Sequence, residues 1–304
     1  MQLLYGNDGT NYKTIAKSKE MTSGQEKQII QGYLGYNFVK EKDKYTSVYD
    51  EPISLSYVTT NLAGSLSEEK ILLTKNARMS NYLTPSYYSH VHLLESSDRE
   101  YEEGFFDLLQ YSFIKDVELT EYLEKDIDSF TQKKIVGATV LNKNAIEKEN
   151  IIAIISALFH VLESPSKKIR IIVDAEGDAY NQRALDIIAT LYEYIPYGIR
   201  KKVGFSTYSD IDTGISSRIK IQLFTRETMS KLGNDAIDLS KAEPREILKA
   251  VPDEIIEFVR EYVNKEEKER KELFGIFRTV FEDIDAEIED YICFCNNLHL
   301  TGLL

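Results

Sequence analysis

Short runs in which apolar and polar residues alternate fill the first 135 positions, separated by clusters of Gly, Asn, Asp and Ser. Gln2–Tyr5, Tyr12–Lys17, Ile53–Thr59, Lys70–Thr74 and Tyr87–Leu94 are too short for stable helices and carry aromatic, β-branched or leucine side chains, so each is expected as a strand. Between the first two, Gly6-Asn7-Asp8-Gly9 reads as a hairpin turn; as a phosphate loop it would need a helix to follow, and none is evident. Gln25–Tyr33 has the pattern of a short helix. Asp98–Tyr111 mixes aromatic and acidic residues without a period and leaves helix and loop both open.

From Ile135 the period lengthens. Asn144, with Glu147 three residues on, has the spacing of a capping pair. It opens a helix that is apolar nearly all round from Ile151 to Leu162 and ends before Pro165, so it must be buried on most sides, His160 included. Ile169–Val173 is a compact β-branched run and reads as a buried strand. Asp178 then suits the cap of a helix whose positions Tyr180, Ala184, Ile187, Ile188, Leu191 and Ile195 share one face, with Pro196 and Gly198 stopping it. Val203, Phe205 and Thr207 alternate along the next strand, and a strand, helix, strand unit of this length favours a right-handed parallel crossover. Arg218–Phe224 sets Ile219, Ile221 and Leu223 against Lys220 and Gln222, the alternation of a strand with one wet face.

Beyond Arg226 the pattern is helical: Pro244–Ala250, Asp253–Asn264, and a long helix from Lys271 to about Asn296 with Leu273, Phe277, Val280, Phe281, Ile284 and Ile288 on one stripe. Charges alternate in sign from Lys265 to Glu272, as on a solvated helix face. These elements predict an α+β / α/β protein with a β-rich amino-terminal domain (1–135), an α/β middle domain (136–228) and a helical carboxy-terminal region (229–304).

Composition narrows the function classes. A chain of 304 residues that is 42% apolar has material for real cores. The apolar run Ile151–Leu162 is about half of what a bilayer requires, and MQLLYGNDG lacks the blocks of a signal peptide, so a cytoplasmic location and no membrane are expected. A formal charge of -13 repels phosphate backbones, which argues against nucleic acid as the main partner. Two cysteines, Cys293 and Cys295, supply neither a disulfide framework nor a four-thiolate zinc site and read as core thiols. Twenty tyrosines and no tryptophan give many rings with a polar tip, suited to half-buried sheet faces or a partner surface.

Three segments carry a family resemblance: QLLYGNDGTNYKTIAKSKEMT at the amino terminus, ARMSNYLTPSYYSHVHLLE near residue 90, and IPYGIRKKVGFSTY in the middle. Together they resemble the amino-terminal and middle domains of bacterial GTPase-associated proteins, a group recognised by its genomic company with small GTPases and conflict-system components. The resemblance spans about residues 1–225 and implies a cytoplasmic adaptor or regulatory component with a protein partner, a GTPase being the natural candidate. Family members often carry a large carboxy-terminal region, whereas three helices stand here. The resemblance brings no catalytic residues and no cofactor with it.

The residues themselves offer one candidate rim. Asp174, Glu176 and Asp178 follow the carboxy end of an expected parallel strand, where open α/β sheets place ligands. Ser206, Thr207 and Tyr208 end the next strand, after the basic residues Arg200, Lys201 and Lys202. If the strands are parallel, both ends share one edge. Three carboxylates there suit Mg²⁺ and a phosphorylated substrate, which makes a metal-dependent enzyme acting on a nucleotide or similar small molecule the alternative to an interaction module. The competing reading is local: Asp178 and Glu176 suit a helix start, Gly177 permits the turn, and the basic trio suits a helix end. No Walker loop, dinucleotide glycine pattern or Gly-x-Ser-x-Gly turn accompanies them. His90 and His92, two apart on a strand, share a face near Glu95 and form at most half of a transition-metal site.

Overall fold

The computed structural model describes residues 1–8, 10–34, 53–60, 62, 69–79, 86–96, 105–109, 111–114, 122, 127–130, 140–209, 218–228, 236–241, 243–281 and 285–301. Nine strands form a single mixed sheet: β1 (Gln2–Asn7), β2 (Tyr12–Lys17), β3 (Ser54–Thr60), β4 (Lys70–Arg78), β5 (Tyr87–Glu95), β6 (Ile169–Ile172), β7 (Gly204–Ser206), β8 (Ile219–Phe224) and β9 (Ala236–Asp238). Their spatial order is β2-β1-β5-β4-β3-β7-β8-β6-β9. The first five are antiparallel, the last four run parallel, and the halves meet where β3 pairs antiparallel with β7 through Ser56↔Ser206 and Tyr57↔Phe205. The fold is α+β as expected. The compositional change near residue 135 therefore does not coincide with a break in the sheet.

The hairpin between β1 and β2 turns as its sequence indicates. One Asp8 carboxylate oxygen accepts from the backbone N–H groups of Thr10 and Asn11 and from the Thr10 hydroxyl. Helix α1 (Ser23–Tyr33) starts at a capping box formed by Thr22 and Gln25, and it covers Leu3, Val58, Leu72 and Val91 on one face of the antiparallel half. On the opposite face, Leu55, Tyr57, Ile71 and Leu73 join the main core. Adjacent β4 residues thus enter different cores, as a period of two dictates. A short α2 (Phe105–Leu108) sets Phe105 in that main core, stacked on Tyr192 at 4.0 Å; the rest of Asp98–Tyr111 is described only at Leu109 and Tyr111.

Helix α3 (Lys148–Val161) is buried from Ile151 through Phe159, lying between β6 and the carboxy-terminal helices. Its start differs from the expected one. Glu147 is the capping residue, and Asn144 sits in the preceding turn, its N–H donating to Asn142 Oδ1. His160 occupies the exposed last turn instead of the buried body. Helix α4 (Asp178–Tyr192) buries Tyr180, Ala184, Ile187, Ile188 and Leu191 completely, as its period requires. Its cap is Gly177, not Asp178. At φ 57° and ψ -138° only glycine is comfortable, so the turn selects the residue without a Cβ and makes Asp178 the first helical residue. After Pro196 a short α5 (Tyr197–Arg200) leads into β7. β6 and β7 are parallel, but β8 lies between them.

The expected wet face of β8 is dry. Lys220 is 5% exposed and Gln222 is fully buried, because Lys220 Nζ donates to Ser164 O and Gln222 Nε2 to Ser209 Oγ. Alternation of polarity marked the two faces correctly, but internal partners took the place of water on the polar one, Gln222 Oε1 alone of these groups being buried without a partner.

Helices α6 (Pro244–Leu248) and α7 (Asp253–Val263) lie on α3. The expected single helix after Lys271 is two, α8 (Glu267–Val280) and α9 (Ile288–Thr301), with a reversal between them in which Glu287 N–H donates to Asp290 Oδ2. A continuous helix would hold Phe277 and Tyr291 roughly 21 Å apart; here their rings lie 5.1 Å apart, and Phe281 and Tyr291 lie 4.6 Å apart. Burial of these rings drives the reversal. Ile284 lies outside the described residues. Cys295 is buried, with its thiol pushed up to about 12 by burial, whereas Cys293 is exposed, since residues two apart on a helix point to different sides. Of the alternating charges from Lys265, Lys271–Glu267 and Lys268–Glu272 form ion pairs and Glu266 and Glu269 cap α8, whereas Arg270 is 5% exposed and lies over the Tyr194 ring at 4.2 Å, fastening α8 near the end of α4.

Candidate functional site

The carboxy edge of the parallel strands brings the FSTY block beside β3 and encloses it. Ser206, Thr207 and Tyr208 are each 2% exposed. Thr207 N–H donates to Leu55 O at 2.9 Å, Thr207 Oγ1 accepts from Leu55 N–H at 2.8 Å, and the Ser206 and Ser54 hydroxyls both donate to Tyr208 O. Tyr180 on α4 completes the arrangement by donating its hydroxyl to Thr207 O at 2.9 Å. These hydroxyls join the two halves of the sheet. None is presented to solvent as a nucleophile.

At the end of β6, Asp174 meets Arg183, one α4 turn away, in a bidentate pair at 2.7 and 2.9 Å. The guanidinium holds the Asp174 carboxyl below its ordinary range. Both oxygens are thus engaged before any cation arrives. Glu176 is exposed, and Asp178 begins α4. Among the described residues no three His, Cys, Asp or Glu side chains cluster at metal-binding distance.

Arg200 is not at this rim. It is 3% exposed within the main core, donating to Tyr192 O at 2.6 Å and Ile195 O at 3.0 Å, with its guanidinium 4.8 Å from the Tyr197 ring centre. It satisfies carbonyls at the carboxy end of α4, and burial lowers its pKa to about 10. Lys202 lies elsewhere again, bonded to Ala286 O at 2.8 Å and paired with Asp285 at 2.7 Å. Of the eight candidate residues, the structure brings Ser206, Thr207 and Tyr208 together and sets Arg200 and Lys202 apart from them.

His90 and His92 do share a face, both fully buried with their ring centres 4.4 Å apart, and both lie against the partly buried Phe113 ring. Ile114 N–H donates to His90 Nδ1, so the His90 proton is on Nε2, facing Gln2 Oε1 at 3.0 Å. His92 Nε2 donates to Ser112 O at 3.0 Å, leaving its Nδ1 buried without a hydrogen-bond partner. Burial holds both imidazoles neutral, His90 well below its ordinary value and His92 at about 4. Glu95 points away, toward Lys70.

Among the described residues, a concavity with chemical character lies at the opposite, amino edge of the parallel strands. A cleft of about 480 Å³ is lined by Lys201, Lys202, Arg218 and Lys220, with Glu69, Glu163 and Asp285 among the other wall residues. Lys201 and Lys202 precede β7, Arg218 precedes β8, and Lys220 is its second residue. Arg218 donates to Thr59 O at 2.9 Å and pairs with Glu69, while Thr59 Oγ1 donates to Lys201 O, so the end of β3 holds the wall in place.

The α/β unit with these two edges also carries a recognisable sequence. Residues 140–228 match the middle domain of GTPase-associated protein 1. The match begins before α3 and ends at the turn after β8, so the matched residues contain α3, β6, α4, α5, β7 and β8 and all four cleft cations. The amino-terminal segments that resemble the same family lie outside the matched residues. Comparison with curated proteins gave no match. Among the described residues no helix is long and apolar enough to cross a membrane.

The cleft was not anticipated, because its cations are distributed over positions 201, 202, 218 and 220. A signal for it was present. Basic residues stand at the start of two successive strands, and parallel strands place their starts on one edge.

Proposed function

We propose that this chain is a non-enzymatic interaction module, an adaptor or regulatory component of a GTPase-linked system, acting in the cytoplasm on a protein partner. The observation that carries the reading is the match of residues 140–228 to the GTPase-associated protein 1 middle domain. The chemistry of the candidate rim supports it. The FSTY hydroxyls bond the sheet together, Asp174 is engaged by Arg183, and Arg200 serves backbone carbonyls. What the fold leaves at its surface is charge and shape, the means of recognition.

The test is direct binding. The purified chain is titrated calorimetrically with each small GTPase of its source organism, loaded with GDP or with a non-hydrolysable GTP analogue. Saturable binding to one of them, with an affinity that depends on the bound nucleotide, is the expected outcome. Absence of binding to every GTPase in both states overturns the proposal.

A further inference from the structure

We propose that the cleft at the amino edge of β7 and β8 is a binding site for a small phosphorylated, hydroxyl-bearing molecule. The chain carries a formal charge of -13, yet four cations from two separate segments of the sequence converge on one concavity. Two of the four have no ion pair among the described residues. Lys201 is one; the other is Lys220, 5% exposed, whose ammonium donates to Ser164 O at 2.6 Å and has two further protons to place. Lys220 feels the Glu163 carboxylate only beyond ion-pair distance, so burial still disfavours its charge, and an anion entering the cleft relieves that cost.

The other two cations are positioned by backbone carbonyls, Arg218 by Thr59 O and Lys202 by Ala286 O, and each also pairs with a carboxylate that an incoming anion would replace. Lys202 pairs with Asp285, whose side chain is 83% exposed, and Arg218 pairs with Glu69. Pairs with this much solvent access contribute little stability, so exchanging the carboxylate for an incoming anion costs little. Arg218 and Lys220 are fixed two apart at the start of an interior strand, so the cationic wall is preorganised. Glu163 is exposed on the same wall and has no ion pair among the described residues, which gives it a free carboxylate to accept from a hydroxyl.

Shape and charge decide the class. A concavity of about 480 Å³ has room for a small molecule. A long polyanion would extend past it over an acidic surface and be repelled.

The experiment titrates the full chain with inorganic tripolyphosphate and pyrophosphate at constant ionic strength, by calorimetry and thermal shift. Saturable one-to-one binding is expected, weakened about tenfold or more by Lys201→Gln and by Lys220→Met and unchanged by Lys268→Gln on the outer face of α8. Lys201→Gln removes no internal bond, so it remains a valid test if Lys220→Met fails to fold. Three results overturn the proposal: no saturable binding of either polyphosphate; equal weakening by Lys268→Gln; or tighter binding of a hexaglutamate peptide or an oligothymidylate than of tripolyphosphate.

Discussion

Acid should loosen the seam between β5 and residues 111–114 before it reaches the rest of the fold, and His92 sets the scale. In the unfolded chain its imidazole titrates near the ordinary value of 6.5, and in the fold burial lowers it to about 4. Because the folded value is the lower one, the unfolded state binds the extra proton, so stability is complete above pH 6.5 and falls as the pH drops toward 4. Between pH 7 and pH 5 this difference removes about 2 kcal/mol, and His90, shifted in the same direction, adds to it. The structural origin is specific. A second proton on His92 would sit on Nδ1, which is buried and faces no acceptor. Urea unfolding at pH 7 and pH 5, followed by far-ultraviolet circular dichroism because the chain has no tryptophan, measures the loss. His92→Gln lowers stability at both values but should shrink the pH 7 to pH 5 difference by about 2 kcal/mol. If the variant and the native chain lose the same amount over that interval, the assignment of His92 as a buried neutral imidazole is wrong.

Gly204→Ala would place a Cβ 2.6 Å from Arg218 O and 2.8 Å from Tyr57 O, both backbone, so a loss of about 3 kcal/mol in urea unfolding is expected. Gly198→Ala meets the Tyr291 hydroxyl at 2.7 Å, and adding Tyr291→Phe should recover most of the lost melting temperature if that contact is the cause. Arg200→Lys keeps the charge but cannot span Tyr192 O and Ile195 O with one nitrogen; a cost of about 2 kcal/mol is expected by the same unfolding assay. Asp174→Asn should cost less than about 1 kcal/mol and leave the melting temperature equally indifferent to Mg²⁺, since its partner is the partly exposed Arg183; a Mg²⁺-dependent rise in the native chain alone would reinstate a cation site there.

Much of the secondary structure was legible in the residues themselves. The face Tyr180, Ala184, Ile187, Ile188 and Leu191 is buried as its period requires, and the first hairpin turns at Asp8. What escaped was set by pairing across long separations. Thr207 reads as a strand-end hydroxyl, and nothing local says that Leu55 will meet it 152 residues away. Lys220 and Gln222 look like residues for water until Ser164 and Ser209 are placed beside them. The helix after Lys271 has an unbroken apolar stripe, and only the rings of Phe277, Phe281 and Tyr291 packing together reveal the reversal. The cleft escaped for the same reason, since positions 201 and 220 become neighbours only when β7 and β8 align.

The seam between β3 and β7 also orders events during synthesis. β3 leaves the ribosome with β4 soon behind it on one side, but its other neighbour is Gly204–Ser206, made well over a hundred residues later. At typical elongation rates that interval is on the order of ten seconds. Throughout it, one side of β3 offers unpaired backbone groups to any other nascent strand. The pairing that unites the two halves of the sheet is therefore also the step at which a chaperone, or its absence, would most affect the yield of folded protein.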